Sequence, residues 1–591
     1  MHKQVPAGKL QEHHISLRLL FVPCLFALLG LAASCRHHET LPPSLESSVV
    51  AAPEAQAAEI GGEILRRGGN AVDAAIAVQF AIAVTNAIGT GIGGGGFMLI
   101  HDPVADEVVA LDYRETAPAD AHRDMFLDET GEPDAQLSVH SPLASGVPGT
   151  VRGMAALHER YGSLPWAELV QPAIDLADNG FRIDPWTANK IQEYGEKFAL
   201  VDPRFREHIE FQLYFREGAD RMTIPDLAET LRRIAEQGAD EFYTGRTAEL
   251  IVEEMQRGGG LISAADLAAY RPVWREPLTG DYRGYRIVSM PLPSSGGVIL
   301  IEFLNMLEEF DPRPLQSPAQ VHLFAEIAKR AFADRAEYLG DPAFTDVPVE
   351  VLTDKAYARA RVKDIDPARR TDPDTIEAGD VMVEFSVDGQ TTHFSIVDRD
   401  GLAVSNTTTL NTGYGSGIVV DGAGFLLNSQ MNDFSAKPGV PNVYGVTGSA
   451  ANEIAPGKRP LSSMTPTMVF DPEGQLMLVL GSPGGSTIIT TVLSVILNVV
   501  DYELSLAEAV DLPRFHHQWP PVEPDTDPII VETDARYRLP DATLDALLEL
   551  GYTLGEIESL GDVQAVQIDG HRVTGVFDRR RTGGVVAVEE R

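Results

Sequence analysis

Apolar residues at helical spacing dominate the first two thirds of the chain. The run at 54–67 ends at Gly68 and Gly69, and Asn70 stands where a cap for the next run, 71–84, is expected. That second run is rich in alanine with few polar interruptions, which predicts a buried helix packed closely on a sheet. The same spacing predicts further helices at 227–237, 247–257, 297–309 and 318–338.

Beyond residue 391 the pattern changes to short apolar runs punctuated by Gly, Asp and Asn, which are typical of strands. The predicted strands are 392–397, 402–408, 424–427, 465–470, 476–480, 564–568 and 574–577. Helical spacing returns at 487–500, 505–510 and 544–550. Helices before, strands in the middle and helices after predict an α+β fold in which helices cover both faces of a sheet sandwich.

A glycine-dense segment at 89–96 separates a predicted helix from a predicted strand at 97–100. Gly89, Gly91 and Gly94 match the spacing of a dinucleotide-binding fingerprint, but that fingerprint follows a strand and opens a helix. Here the order is reversed, and no Gly-Lys-Ser/Thr ending marks a phosphate loop. We therefore expect a turn whose backbone approaches a functional site.

The charge balance excludes one large class of partners. The 591 residues include 86 acidic and 47 basic side chains, a net charge of −39. Nucleic acid is not an expected partner, because its phosphates require Lys and Arg. A solvated acidic surface is the simplest interpretation of the excess. Hydrophobic content of 44% is typical of a globular protein long enough to bury a large core.

The N-terminal segment 1–35 has the features of an export signal. Basic residues precede an apolar run at 19–31, which ends in small residues before Cys35. The run is short for a membrane-spanning helix, so export to the periplasm or cell envelope is expected. Cys35 is a candidate lipid acceptor, and ordinary cleavage nearby is the alternative. Residues 36–50 are then predicted to be a tether, and no cysteine follows Cys35.

Thr391 is the candidate nucleophile, within the segment 390–395. A threonine hydroxyl needs an adjacent base. Cleavage between Gln390 and Thr391 would leave Thr391 with a free α-amine, whose ordinary pKa near 8 suits that role. His393 is the rival base, because alternation along a strand places it on the same face as Thr391. The alternative reading is a β-branched pair that opens a strand.

Four motifs together give the chain a family likeness, namely residues 112–115, 390–395, 428–444 and 481–486. The chain resembles the γ-glutamyltranspeptidase (glutathione hydrolase) family of N-terminal-nucleophile hydrolases from about residue 50 to near its C-terminus. The resemblance implies an αββα four-layer sandwich with two antiparallel-type central sheets. It also implies self-cleavage into a large subunit, 51–390, and a small catalytic subunit, 391–591, which pair as a heterodimer.

The resemblance implies two clamps for a γ-glutamyl substrate. The family residues that match Asn411, Gln430 and Asp433 hold the α-amino group, and a carboxylate with amide acceptors suits an ammonium. Those that match Arg114, Ser462 and Ser463 hold the α-carboxylate, for which a guanidinium with two hydroxyls is well suited. Without the family match, Arg114 would be interpreted as a surface arginine that pairs with a neighbouring acidic residue.

The remaining site residues also come from the resemblance. Gly484 and Gly485 match the oxyanion hole, where glycine lets backbone N–H groups turn toward developing negative charge. A tight turn before the next helix would use glycine as well. Thr409 matches a residue that supports the nucleophile's hydroxyl. Tyr444 matches the gating aromatic of a lid loop, which would exclude water.

The expected activity is cleavage of γ-glutamyl amides such as glutathione through a γ-glutamyl-threonine ester. Water, an amino acid or a dipeptide would then accept the γ-glutamyl group. An acylase for glutaryl side chains of β-lactams is one alternative, although Asp433 would have no ammonium to bind. A non-catalytic envelope scaffold is the other. No cofactor or metal is expected, and the adjacent His516 and His517 make a poor chelate.

Overall fold

The structure, a computed structural model, describes residues 45–201, 221–376, 389–520 and 526–589. The predicted export signal at 1–35, with Cys35, lies outside these ranges, as does most of the predicted tether. Within the described ranges, no helix is both long and apolar enough to cross a membrane.

Strands are numbered in chain order. They are β1 (Ser47–Ala52), β2 (Gly95–Asp102), β3 (Glu107–Asp112), β4 (Phe181–Arg182), β5 (Arg221–Met222), β6 (Val273–Arg275), β7 (Leu278–Tyr282), β8 (Tyr285–Ser289), β9 (Gly389–Val397), β10 (Ala403–Thr412), β11 (Thr467–Phe470), β12 (Leu476–Gly481), β13 (Phe515–His516), β14 (Pro528–Glu532), β15 (Thr553–Ile557), β16 (Gln564–Asp569), β17 (Arg572–Phe577) and β18 (Gly584–Glu589).

Helices are numbered in the same way. They are α1 (Ala55–Arg66), α2 (Ala71–Thr85), α3 (Ala135–Val139), α4 (Thr150–Tyr161), α5 (Trp166–Asn179), α6 (Pro185–Val201), α7 (Pro225–Gln237), α8 (Asp240–Thr244), α9 (Arg246–Gly258), α10 (Ala264–Ala269), α11 (Ser295–Leu307), α12 (Pro318–Tyr338), α13 (Val349–Leu352), α14 (Lys355–Arg361), α15 (Thr487–Val500), α16 (Leu506–Asp511) and α17 (Asp541–Glu549).

Two antiparallel sheets form the centre of the described chain. The first has the strand order β18-β1-β9-β10-β2-β3-β6, and the second has the order β17-β16-β12-β11-β8-β7. Every neighbouring pair in both sheets is antiparallel. The two sheets also contact each other, for example β9 with β12 and β1 with β17.

Alternation along β1 shows how the layers stack. Val50 and Ala52 belong to a core that also contains α1 and α2. Val49 and Ala51 point the other way, into a core shared with the second sheet. Because successive strand residues face opposite sides, the first sheet is buried on both faces.

Helices complete the outer layers. α1 and α2 contact strands of the first sheet, and α5 and α7 pack behind them. On the far side, α11 contacts β7 and β8, and α15 contacts β12 of the second sheet. The predicted α+β, four-layer αββα sandwich with two antiparallel central sheets is therefore confirmed.

Helix α2 illustrates how local sequence sets these elements. The Asn70 side chain accepts a hydrogen bond from the Asp73 N–H at 2.9 Å, and the Asp73 carboxylate accepts from the Asn70 N–H at 3.1 Å. This reciprocal capping box satisfies two N–H groups that an uncapped helix leaves without acceptors. All residues of α2 are buried, as its alanine-rich sequence predicts.

Two sequence-based assignments are wrong. The predicted tether 36–50 includes residues of β1, which is hydrogen-bonded between β18 and β9. Its partners lie hundreds of residues away, so local composition did not reveal the strand. Residues 424–427 form only isolated bridges to Gly93 and Val419, because Gly424 has φ 72° and begins the segment inside a turn.

Candidate active site

The candidate nucleophile lies on β9, which pairs with β10. In this register Thr391 lies opposite Thr409, and His393 lies opposite Thr407. The pairing becomes irregular beyond Thr409, where β10 shifts before Thr412. Such an irregularity bends a strand and re-aims its side chains, which is common next to active sites.

The hydroxyl of Thr409 connects the nucleophile to the predicted cleavage site. It donates a hydrogen bond to the Gln390 carbonyl oxygen at 3.1 Å, and it accepts one from the Asn411 N–H at 2.8 Å. The hydroxyl oxygens of Thr391 and Thr409 are 3.3 Å apart. When the single proton of Thr409 goes to the Gln390 carbonyl, Thr391 is the donor in this pair. Thr409 thus polarises the carbonyl next to the nucleophile.

His393 lies on the same face of β9 but takes no part in this chain of hydrogen bonds. Its ring nitrogens pair with the hydroxyls of Thr407 at 2.9 Å and Ser395 at 3.0 Å. Complete burial lowers the pKa of His393 to about 3. The ring is therefore neutral and engaged by hydroxyls, which leaves the α-amine of a cleaved Thr391 as the nearer base.

A cavity of about 370 Å³ opens beside Thr391. The predicted site residues that line it are Arg114, Thr391, Thr409, Asn411, Gln430, Asp433, Tyr444, Ser462, Ser463 and Gly485. Gln390 lines a separate cavity, together with Glu54, Asn86 and Asp562, and Thr391 borders both.

Arg114 is fully buried, which contradicts the reading of it as a surface arginine. It forms a close ion pair with Asp433 and lies 3.7 Å from Glu115. Burial raises the pKa of Asp433, and Arg114 opposes this shift. Burial also raises the pKa of Glu115 to about 8, with Arg114 again opposing. The groups proposed to hold substrate charges are thus paired with each other.

The amide side chains of Gln430 and Asn411 differ in their hydrogen bonding. Gln430 is buried, and neither atom of its amide group has a hydrogen-bond partner among the described residues. Burying such a group without partners is costly, which is expected where a ligand supplies them. The Asn411 oxygen accepts from the Tyr444 hydroxyl at 2.7 Å, so Tyr444 closes over this part of the cavity.

The two serines lie beside α11. The Ser462 N–H donates to the Pro293 carbonyl at 2.9 Å, and its own carbonyl accepts from the Ser295 N–H at 2.7 Å. Ser463 receives a hydrogen bond from a residue that the sequence did not indicate, Arg335 on α12, at 3.3 Å. Arg335 also lines the cavity.

Gly484 and Gly485 precede α15 with φ values of 134° and 57°. A side chain in either conformation would be strained. A Cβ on Gly485 would also lie 2.9 Å from the Tyr444 ring. Their position at a helix N-terminus favours a negative charge nearby. The oxyanion role of both glycines stays a prediction.

The glycine-dense segment behaves as a close-approach turn. It follows α2 and leads into β2, as predicted. A Cβ on Gly94 would lie 2.1 Å from the Thr409 carbonyl oxygen, and one on Gly89 would lie 3.3 Å from that of Thr391. Glycine allows this backbone to lie in close contact with β9, which carries Thr391, and with its neighbour β10.

Within the described part of the chain, no group of three or more His, Cys, Asp or Glu side chains is placed to hold a metal ion. His516 pairs with the Thr490 hydroxyl, and His517 pairs with Asp527 at 2.7 Å. The adjacent histidines thus serve different structural partners.

Comparison with known proteins decides the family. Residues 57–588 match the family model described as gamma-glutamyltranspeptidase. The chain belongs to the γ-glutamyltranspeptidase family. Over 555 residues it is 46% identical to a glutathione hydrolase proenzyme of Escherichia coli strain K12, a match that covers 92% of each chain.

Solved structures agree with this membership. The γ-glutamyltranspeptidase of Helicobacter pylori is 42% identical, with a TM-score of 0.52, and covers 55% of this chain and 93% of its own. A cephalosporin acylase from Bacillus halodurans is 27% identical, with a TM-score of 0.81, and covers 93% of this chain and 97% of its own. This member of the γ-glutamyltranspeptidase family therefore has the N-terminal-nucleophile hydrolase fold.

Proposed function

We propose that this protein is a self-processing γ-glutamyltransferase and glutathione hydrolase with Thr391 as its nucleophile. One observation carries the proposal: Thr391 borders the same cavity as the buried Arg114–Asp433 pair. A γ-glutamyl group presents an ammonium and a carboxylate at one end and an amide carbonyl at the other. The cavity offers a complementary carboxylate and guanidinium at one place and a nucleophile at another.

Processing begins with attack of the Thr391 hydroxyl oxygen on the Gln390 carbonyl carbon. The C–N bond to Thr391 breaks, its nitrogen takes up the hydroxyl proton, and an ester links Gln390 to Thr391. Water then opens the ester, which leaves a carboxylate on Gln390 and a free α-amine on Thr391. The hydrogen bond from Thr409 to the Gln390 carbonyl supports this step, because it stabilises charge that develops on that oxygen.

Turnover repeats the same chemistry on a substrate. The α-amine of Thr391 accepts the hydroxyl proton as the oxygen attacks the γ-amide carbonyl. Gly484 and Gly485 would hold the oxyanion. The leaving amine takes the proton and departs, as cysteinylglycine when glutathione is the substrate. Water, an amino acid or a dipeptide then attacks the ester and frees Thr391.

We expect the γ-glutamyl donor to be recognised because Arg114 and Asp433 exchange each other for the charged groups of the substrate. The substrate ammonium would replace Arg114 at Asp433, with Asn411 and Gln430 as further acceptors. The substrate carboxylate would take the freed Arg114 and the hydroxyls of Ser462 and Ser463. Breaking the Arg114–Asp433 pair is compensated because each partner gains an opposite charge.

The large piece, which ends at Gln390 and includes β1, and the small piece, 391–591, would remain associated after cleavage. In the first sheet, β1 from the large piece lies between β18 and β9 of the small piece. In the second sheet, β8 of the large piece pairs with β11 of the small piece. Separation would expose both sheet cores to water, so a stable heterodimer is expected.

We also propose export to the periplasm or cell envelope through the segment 1–35. Fractionation of the producing cells and the mass of the mature N-terminus test this point. A diacylglycerol adduct on Cys35 would show lipid attachment, and an unmodified N-terminus nearby would show ordinary cleavage.

The deciding assay follows amine release from a γ-glutamyl anilide, with and without a dipeptide acceptor. Acceleration by the acceptor is expected, because the Tyr444 lid limits access of water. The fold likeness to the cephalosporin acylase makes a glutaryl anilide the matched comparison, since it lacks only the α-amino group. Faster release from the glutaryl anilide would favour an acylase. An uncleaved, inactive chain of 64.0 kDa would favour a scaffold.

A further inference from the structure

A second guanidinium lies in the site beside Arg114. Arg335 is on α12, and only 6% of it is exposed. Its Nε donates to the Ser295 hydroxyl at 2.9 Å, and its Nη2 donates to the Ser463 hydroxyl at 3.3 Å. The side chain is thus held in place at the wall of the cavity.

The environment of Arg335 differs from that of Arg114. Arg114 has Asp433 as a direct ion-pair partner, whereas no carboxylate among the described residues lies within ion-pair distance of Arg335. Burial lowers the pKa of Arg335 to about 10, and the charge of Asp433 opposes this shift, so Arg335 remains charged at neutral pH. A buried cation whose partners are only hydroxyls is costly unless an anion joins it.

After the other charged groups around the cavity are paired, the positive charge of Arg335 remains in excess. Arg114 and Asp433 cancel each other, and the raised pKa of Glu115, about 8, keeps that carboxyl mostly protonated at neutral pH. An α-amino acid group would bring one ammonium, for Asp433, and one carboxylate. Two guanidiniums would then face that single carboxylate, which favours a firmly held anion.

Ser463 connects Arg335 to the substrate. Its hydroxyl oxygen accepts a hydrogen bond from the guanidinium, so its own proton is free to be donated elsewhere. Ser463 lines the cavity, where an anion would be the strongest acceptor for its hydroxyl proton. The neighbouring cation also makes the hydroxyl a better donor.

We propose that Arg335 is a positioning residue for the substrate's α-carboxylate, which it holds through the Ser463 hydroxyl and through its own charge. This inference rests on the proposed function and adds to it a determinant of donor choice. Arg335 selects acyl groups that carry a carboxylate at the far end and has no part in the attack by Thr391.

The test compares Arg335→Met and Arg335→Lys on two anilides. The γ-glutamyl anilide carries the α-carboxylate, and the 4-aminobutyryl anilide is the same acyl group without it. For Arg335→Met we expect kcat/KM on the γ-glutamyl anilide to fall about 10- to 100-fold, mainly through KM, as for a lost charged hydrogen bond. On the 4-aminobutyryl anilide it should change less than about threefold. Arg335→Lys should recover part of the loss.

Arg330 provides the matched control. It lies on the same helix and is buried, but it pairs with Glu326 and Asp364 away from the cavity. Arg330→Lys should affect both anilides equally. Cleavage between Gln390 and Thr391 should proceed in every variant. Equal losses on both anilides in Arg335→Met, or no loss on either, would overturn the inference.

Binding of L-glutamate, measured by calorimetry, separates this inference from the proposed function. A wild-type protein that binds L-glutamate but releases no amine would contradict the proposed reaction alone. Weaker binding of L-glutamate by Arg335→Met than by Arg330→Lys would support the inference in that case too. Equal binding by both variants would contradict it.

Discussion

Two neighbouring cross-strand pairs on one face of β9 and β10 have opposite roles. Thr391 faces Thr409, and His393 faces Thr407, each joined by a side-chain hydrogen bond. The first pair borders a cavity, whereas the second is sealed between the sheets. Residue type alone would have made His393 the more reactive group.

The opposing chain explains the difference. A Cβ on Gly481 of β12 would lie 2.4 Å from the His393 ring, so glycine allows the second sheet to close over the histidine. Beyond Gly481 the chain leaves β12, and Gly485, just before α15, lines the cavity beside Thr391. Whether a residue on a strand can act in catalysis therefore depends on what lies opposite that residue, as much as on the residue type.

The largest predicted effect concerns the pair at the cavity. Thr409→Val keeps the shape of the side chain but removes the hydroxyl that donates to the Gln390 carbonyl. We expect the rate of precursor cleavage to fall about 100- to 1000-fold, as when one oxyanion donor is removed. Time courses on denaturing gels measure this rate.

Thr409→Ser is the matched control, because it retains the hydroxyl. It should cleave within about tenfold of the wild-type rate, since only a methyl group is lost. If Thr409→Val cleaved as fast as Thr409→Ser, the hydroxyl would have no role in processing.

The sealed pair should matter for stability instead. His393→Ala removes a buried ring and leaves the Thr407 and Ser395 hydroxyls without it. We expect the free energy of unfolding to fall by about 2–4 kcal/mol, measured with guanidinium chloride. Per folded and cleaved molecule, kcat/KM should stay within about threefold of wild type. A loss of activity with unchanged stability would show that His393 is catalytic.

The pH dependence of stability sharpens the same contrast. Because the pKa of His393 is about 3 in the folded protein and ordinarily 6.5, the unfolded chain binds more protons between these values. The contribution of His393 is therefore fully present above about pH 6.5 and is lost as the pH falls toward 3, by at most about 1.4 kcal/mol per unit.

The stability difference between wild type and His393→Ala, measured at pH 7 and pH 5, tests this dependence. It should be smaller at pH 5. A difference that grew on acidification would mean that the folded state favours the charged imidazolium.

The smallest effect is expected at the lid. Tyr444→Phe removes the hydrogen bond to Asn411 and keeps the ring over Gly485. Loss of one such bond corresponds to about 0.5–1.5 kcal/mol, so the ratio of transfer to hydrolysis should shift toward hydrolysis by about 2- to 12-fold. Product analysis with a dipeptide acceptor measures the ratio. An unchanged ratio would remove Tyr444 from control of water access.

Sequence alone predicted the elements whose signals are local. The cap at Asn70, the helix 318–338 and the strand after Thr391 follow from residue order within one element. The cavity residues came from motif likeness, and the structure brings them together around one space.

The features that the sequence did not predict depend on partners that lie far away along the chain. β1 is a strand because β18, from the far end of the chain, pairs with it. Arg335 looks like any basic residue in the last turn of a helix, where cations are favoured anyway. Only its approach to Ser463, 128 positions along the chain, distinguishes it.

We propose above all that Thr391 cuts its own chain and then serves as the catalytic nucleophile. Intact mass and N-terminal sequencing of purified wild type and Thr391→Ala test it most directly. We expect a wild-type small piece that begins at Thr391, and an uncut, inactive Thr391→Ala chain. A Thr391→Ala protein that is still cut at this bond, or that still releases amine from a γ-glutamyl anilide, would contradict it.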